Sequence, residues 1–166
     1  ELPSVYTTPD AGHLYPLLAQ MKEDGCTHVI MEASSQAISQ QRLAGLSFEL
    51  GIFTNLSREH LDQHGTMEKY FDVKQSIFTW CKSGLCNDDD QFGSIIRKNN
   101  NTASYSLYSD TADYHVCQRL SGLLGSRFCL VSKQESAYVH LDLPADFVVS
   151  NAIAALSAAN MLGVPL

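Results

Sequence analysis

Apolar positions along the chain recur at distinct spacings, and each spacing predicts an element. After Thr8-Pro9-Asp10, the residues Leu14, Leu17, Leu18 and Met21 share one helical face. Thr8 reads as the cap of that helix, Pro9 as its first turn, Asp10 as an acid facing the helix dipole and Gly25 as its stop. THVIME, residues 27–32, is a short β-branched run and reads as a buried strand ending at Glu32. SSQAISQQRLAGL, residues 34–46, is helix-compatible and closes at Gly45, and ELGIFTNL, residues 49–56, reads as a second buried strand ending at Asn55. Strand, helix and strand at these lengths predict a βαβ unit with parallel strands. Glu32 and Asn55 then fall at carboxyl ends of strands, where open parallel sheets bind ligands.

Thr66 suits the cap of a helix running from about Met67 to Thr79. Its apolar stripe is Met67, Tyr70, Phe71, Ile77 and Phe78, and Lys74 interrupts the middle of that stripe. From residue 92 the pattern shifts to short strand candidates, SYSLY, YHVCQ, RFCLVS and AYVHLDL, which predict a smaller β-rich appendage after the α/β part. An alanine-rich helix follows from about Ser150, with Gly163 and Pro165 as stop signals.

Charge and composition narrow the function. The net charge of −7 disfavours non-specific nucleic-acid binding and leaves room for a local anion site. No apolar run approaches the ~18 residues of a membrane span, and ELPSVYTTPD does not read as a signal peptide. Cys26, Cys81, Cys86, Cys117 and Cys129 are an odd, scattered set that fits reduced cytosolic thiols better than disulfides or a zinc knuckle. A cytoplasmic protein is expected, with neither a nucleic-acid nor a membrane partner.

Ionisable chemistry concentrates in NLSREHLDQHG, residues 55–65. His60 and His64 stand at the spacing of two zinc ligands on a helix, which leaves a zinc hydrolase as one reading. The glutamate precedes His60, however, so HExxH is not matched, and Gly65 interrupts a helix through both histidines. An oxygen-rich magnesium site that includes Glu32 suits the composition better. His64 then reads as an exposed loop histidine, and Asp62 as a group that orients His60. Lys74 alone would be a snorkelling lysine. Held in a dry site beside the loop, it would have a lowered pKa and a neutral amine able to capture carbon dioxide as an anionic carbamate. Paired hydroxyls at Thr7 and Thr8 suit an anionic group. Arg42, with Gln40, stands on the crossover helix, where a solvated arginine is the plain alternative.

YTTPD at 6–10, MEASSQAISQQR at 31–42, FTNLSREHLDQHGTMEKYFDVK at 53–74, CNDDD at 86–90 and ADFVVSNAIAA at 145–155 together resemble the Mur ligase family, in its order and spacing. The resemblance covers most of 6–90, thins through 91–144 and returns near the end. It implies an α/β fold: a mostly parallel sheet flanked by helices, P-loop NTPase-like, with the smaller β-rich appendage. Residues 1–162 would be part of the central ATP-binding domain, with an α/β part at 1–90, a β-rich part at 91–144 and a closing helix at 145–162. Residues 163–166 would begin a linker.

The activity implied is that of an ATP-dependent amide ligase of peptidoglycan synthesis, monomeric, acting on UDP-N-acetylmuramoyl-L-alanyl-D-glutamate and a diamino acid, either meso-diaminopimelate or L-lysine. ATP phosphorylates the D-glutamate carboxylate, the amine attacks the acyl phosphate, and phosphate leaves. By position the resemblance makes Glu32, His60 and a carbamylated Lys74 the Mg2+ ligands and catalytic set. It assigns Thr7, Thr8, Ser34, Gln40 and Arg42 to the muramoyl substrate and Asn151 to the adenine side. Tyr6 stands where the family usually has Asn, Gln36 where a histidine is common, and Ala145 and Val148 where Gly and Asn are common. No GxxxxGK[ST] phosphate loop occurs in the chain, so a fragment without ligase activity of its own is expected. The rivals are a folylpolyglutamate- or cyanophycin-type ligase on the same fold and a non-catalytic nucleotide-binding remnant.

Overall fold

A computed structural model describes residues 6–58, 61–100 and 102–166, with the side chains of all but 61 and 62. The chain divides into two compact units, Glu1–Ser47 with Glu59–Trp80, and Phe48–Arg58 with Cys81–Leu166.

The first unit is helical. It holds α1 (Ala11–Glu23), α2 (Ser35–Ser39), α3 (Leu61–His64) and α4 (Met67–Ser76), the last tightening into a 3-10 turn over Ile77–Trp80. The cap of α1 is Asp10 rather than Thr8: its carboxylate accepts from the His13 amide at 3.1 Å. Thr8 is fully enclosed instead. In α4, Thr66 caps as expected, accepting from the Lys69 amide at 3.3 Å. Tyr70, Phe71 and Phe78 bury the predicted stripe.

Two predicted elements of this unit take another form. No strand forms over 27–32, where Val29 is 48% and Ile30 98% exposed. A β-branched run becomes a strand only where a ladder partner is at hand, and among the described residues nothing pairs with it. The predicted βαβ unit is therefore absent, and Glu32 ends no strand. The expected helix over 34–46 closes after α2. Gln41 enters the left-handed region at φ 55 and Gly45 does so at φ 90, which turns the chain back on itself.

The second unit is one six-stranded sheet in chain order. Its strands are β1 (Phe48–Phe53), β2 (Cys81–Asn87), β3 (Ala103–Ser106), β4 (Tyr114–Gly122), β5 (Gly125–Val131) and β6 (Ser136–Leu141). β1 to β4 pair in parallel and β4 to β6 antiparallel. The strand-rich stretch beyond residue 92 thus continues the same sheet rather than standing apart. α5 (Gln91–Asn100) packs on β2, and α6 (Asp146–Met161) packs on the sheet. The α6 residues Val149, Ile153, Ala154 and Ala158 close a core over Leu85, Tyr105, Phe128 and Leu130.

The three aspartates after Asn87 tie the end of β2 to α5, to the segment after β3 and to Leu56. Asp88 pairs with Arg97 of α5 at 2.8 Å. Asp89 accepts from the Ser106 hydroxyl and, at 2.7 Å, from the Leu107 amide beyond β3. Asp90 caps α5 through the Phe92 amide at 2.8 Å and also accepts from the Leu56 amide at 3.2 Å. The polarity of CNDDD is spent on holding the carboxyl end of β2 in place.

Candidate functional site

The polar residues of the first unit converge on Thr8. Its Oγ1 donates to the Glu32 carbonyl at 2.7 Å and accepts from the Ser34 amide at 3.0 Å. One hydroxyl therefore fixes segment 32–34 against the entry to α1. Ser34 in turn caps α2, its Oγ accepting from the Ala37 amide at 3.2 Å. Thr8 is 0% exposed, so it builds the site rather than presenting itself to solvent, while Thr7 beside it is exposed.

Arg42 completes the cluster. Its Nε and Nη2 donate to Gln40 Oε1 at 2.9 and 2.6 Å, its Nη1 donates to the Thr8 carbonyl at 3.0 Å, and its guanidinium lies 4.5 Å from the Tyr6 ring centroid. A cation held by three hydrogen bonds over an aromatic face is oriented, not solvated. These bonds leave an N–H on each Nη outside the set, suited to a carboxylate or phosphate oxygen. The turn through Gln41 brings Arg42 back to Thr8. A continuous helix would have carried it away. Thr8, Ser34, Gln40 and Arg42 are thus gathered in one place.

Lys74 is half-buried on α4, in the gap of its apolar stripe. Burial pushes its ammonium below the ordinary lysine range, and the Glu32 carboxylate nearby opposes part of that shift. The two groups named as partners from sequence are therefore within electrostatic reach of one another. His60 lies outside the described residues, as does the side chain of Asp62. Among the described residues no group of three or more His, Cys, Asp and Glu gathers as a metal cluster. The groups present are the Glu32 carboxylate and the Lys74 amine, whose charged form burial disfavours. A neutral amine is the form that could take up carbon dioxide as a carbamate, and with Glu32 it would then offer the oxygen donors that suit magnesium.

His64 departs from the expected exposed loop histidine. It is half-buried, with Nε2 2.9 Å from Ser35 Oγ and its ring stacked on Tyr70 at 4.7 Å and 7°. Sequence patterning missed this because a loop histidine carries no periodicity. The nearest signal was Tyr70 on the buried stripe of the following helix. Asn151 belongs to the second unit, exposed on α6.

The profile of the Mur ligase middle domain matches residues 2–159. The UDP-N-acetylmuramoyl-L-alanyl-D-glutamate--2,6-diaminopimelate ligase of Pseudomonas aeruginosa is 36% identical over 97% of this chain and 34% of its own length. The enzyme of the same name from Corynebacterium glutamicum is 37% identical over 99% of the chain and 33% of its own length. A solved structure bearing that name superposes with a TM-score of 0.88 at 37% identity, covering 99% of this chain and 36% of the other. MurF from Acinetobacter baumannii, at 22% identity over 71% of this chain and 27% of its own, shares the fold with a TM-score of 0.63. The chain spans about a third of the length of the curated relatives it matches.

Proposed function

The chain belongs to the Mur ligase family, and on that premise we propose that it is part of the central domain of an ATP-dependent ligase joining meso-diaminopimelate to UDP-N-acetylmuramoyl-L-alanyl-D-glutamate. The observation that carries the reading is the oriented Arg42, fixed by Gln40 and Thr8 beside the exposed Thr7. A substrate rich in carboxylates and phosphates supplies the anion that such a cation binds. The choice of diaminopimelate over L-lysine is supported by the names of the relatives.

The γ-phosphoryl group of ATP passes to the D-glutamate carboxylate, the incoming amine attacks the acyl phosphate, an amide bond forms and phosphate departs. Catalysis of this kind is positioning and charge stabilisation. Arg42, Gln40, Thr7 and Ser34 hold the muramoyl dipeptide, with Thr8 fixing the backbone between them. Glu32, His60 and a carbamylated Lys74 would hold magnesium, which when bound neutralises charge on the phosphoryl oxygens. Asn151 serves the adenine side. The domain assignment accompanies this reading: residues 1–162 as part of the ATP-binding domain, 163–166 as the start of a linker, in a monomeric cytoplasmic enzyme.

The test is Arg42→Ala in the full-length ligase. Loss of a charge-assisted contact made equally in ground and transition states should raise KM for the muramoyl substrate by about tenfold or more, with kcat largely kept. Normal KM in a stably folded variant would refute the role of Arg42. Turnover of a folate or an arginyl substrate in place of the muramoyl dipeptide would refute the substrate itself.

A further inference from the structure

His64, at the end of α3, joins two other elements of the first unit. Its Nε2 meets Ser35 in the first turn of α2, and its ring covers Tyr70 of α4. Both partners are enclosed, Ser35 at 6% and Tyr70 at 7% exposure, so neither can drift to follow a loose histidine. A second bridge runs beside the first: Gln36 Nε2 donates to Gln63 Oε1 at 2.6 Å. Residues 35–36 and 63–64 are thereby zipped side chain to side chain.

The neighbours of these contacts give the latch its consequence. Tyr70 and Lys74 lie one helical turn apart on the same face of α4. Glu32 and Ser34 immediately precede Ser35 in the segment that Thr8 holds. α2 has only five residues, too few to hold its own position without tertiary contacts. A side chain anchored to both α2 and α4 therefore governs where the segment sits relative to the lysine helix. The stack fixes the plane of the imidazole, and that plane aims Nε2 at the serine.

We propose that His64 is a positioning residue of the ligase site, setting the placement of segment 32–34 against Lys74 through its bond to Ser35 and its stack on Tyr70. The role rests on Glu32 and Lys74 working as a pair in the ligase proposed above. His64 touches neither the substrate nor the reacting atoms in this role; it acts through Ser35 and Tyr70.

Three variants separate its parts. His64→Phe keeps a stacking ring and loses the hydrogen bond, Ser35→Ala removes the same bond from the other side, and His64→Gln keeps a polar atom to meet Ser35. In the full-length ligase, His64→Phe and Ser35→Ala should each lower kcat about tenfold with KM for the muramoyl dipeptide within about twofold of wild type. The double variant should be no worse than either single one, and His64→Gln should recover part of the loss. In the full-length ligase, without nucleotide or metal, thermal unfolding of the same single and double variants should be non-additive. Thermal coupling without any fall in kcat would overturn the positioning role, leaving a structural latch. Additive thermal effects would overturn the latch itself. Absence of turnover in the wild-type enzyme would instead overturn the ligase reading, which the active wild type with unchanged variants would not.

Discussion

Gly93 offers a test of how closely α5 sits on the sheet. A methyl group placed on it would lie 1.9 Å from the Asn87 carbonyl oxygen and 2.9 Å from the carbonyl carbon. Carbon and oxygen approach comfortably at ~3.3 Å or more, so the helix and strand would have to part by ~1.4 Å. Asn87 cannot retreat easily: its Nδ2 donates to the Thr54 carbonyl at 2.8 Å, and its strand is in register with Tyr105 of β3. The movement must come from α5, which would strain the Asp90 cap, the Asp88–Arg97 pair and the burial of Ile96. Overpacking costs ~1–3 kcal/mol, and the upper end applies where backbone rather than a side-chain tip must yield. Alanine returns up to ~1 kcal/mol in helix propensity. The net loss is about 2 kcal/mol, which in a domain of this size lowers Tm by ~4–8 °C. Circular dichroism of the purified chain during a thermal ramp measures it, with Gly122→Ala as control because nothing lies within 4 Å of that position. A Gly93→Ala chain melting within about 1 °C of wild type would show that the reasoning is wrong.

In the proposed full-length ligase, Lys74→Arg should lose most turnover, since arginine keeps the positive charge and could not form the proposed carbamate; near-normal turnover would return Lys74 to an ordinary snorkelling lysine. Because burial holds the Lys74 pKa below its unfolded value, the native state binds fewer protons than the unfolded chain between those two values. The stabilisation from the neutral amine is therefore present at high pH and lost as pH falls through the folded pKa, so Lys74→Met should be no less stable than wild type in urea at pH 7. Cys86 is fully enclosed and burial pushes its thiol up to about 11, whereas Cys26 is exposed. Iodoacetamide at pH 8, followed by peptide mass analysis, should alkylate Cys26 in the native chain and leave Cys86 until unfolding; equal rates would contradict the packing of β2.

Much of the fold is legible because its elements carry local signatures. α1 and α4 combine a polar cap with an apolar stripe, and β3 to β6 alternate or cluster their β-branched and aromatic residues between turns. β2 escaped notice because CKSGLCN hides its buried centre in Gly84, Leu85 and Cys86, residues with little strand bias. α5 escaped because QFGSIIRKNN contains a glycine that propensity penalises and packing requires. The error at 27–32 ran the other way. The segment has the composition of a strand, but composition cannot supply the hydrogen-bonding neighbour that makes one.

The candidate cluster around Thr8 was legible in its residue types but not in its wiring. Hydroxyls, an arginine and a glutamine could be named from their order along the chain, and the structure brings Thr8, Ser34, Gln40 and Arg42 together. Sequence could not show that these groups first satisfy one another. The Thr8 hydroxyl donates to one backbone group and accepts from another, so both polar backbone atoms depend on a single side chain. An unsatisfied buried polar group costs ~1–3 kcal/mol, which makes Thr8 part of the frame before it is part of any binding surface. Arg42 is held in the same way, with Gln40 and the Thr8 carbonyl fixing its plane. The anion proposed to bind there would meet a cation whose orientation is already set, with less ordering left for the binding event to supply. The density of polar residues in MEASSQAISQQR and NLSREHLDQHG therefore has two causes. Some of those residues contact one another so that the remainder can be presented in a fixed geometry.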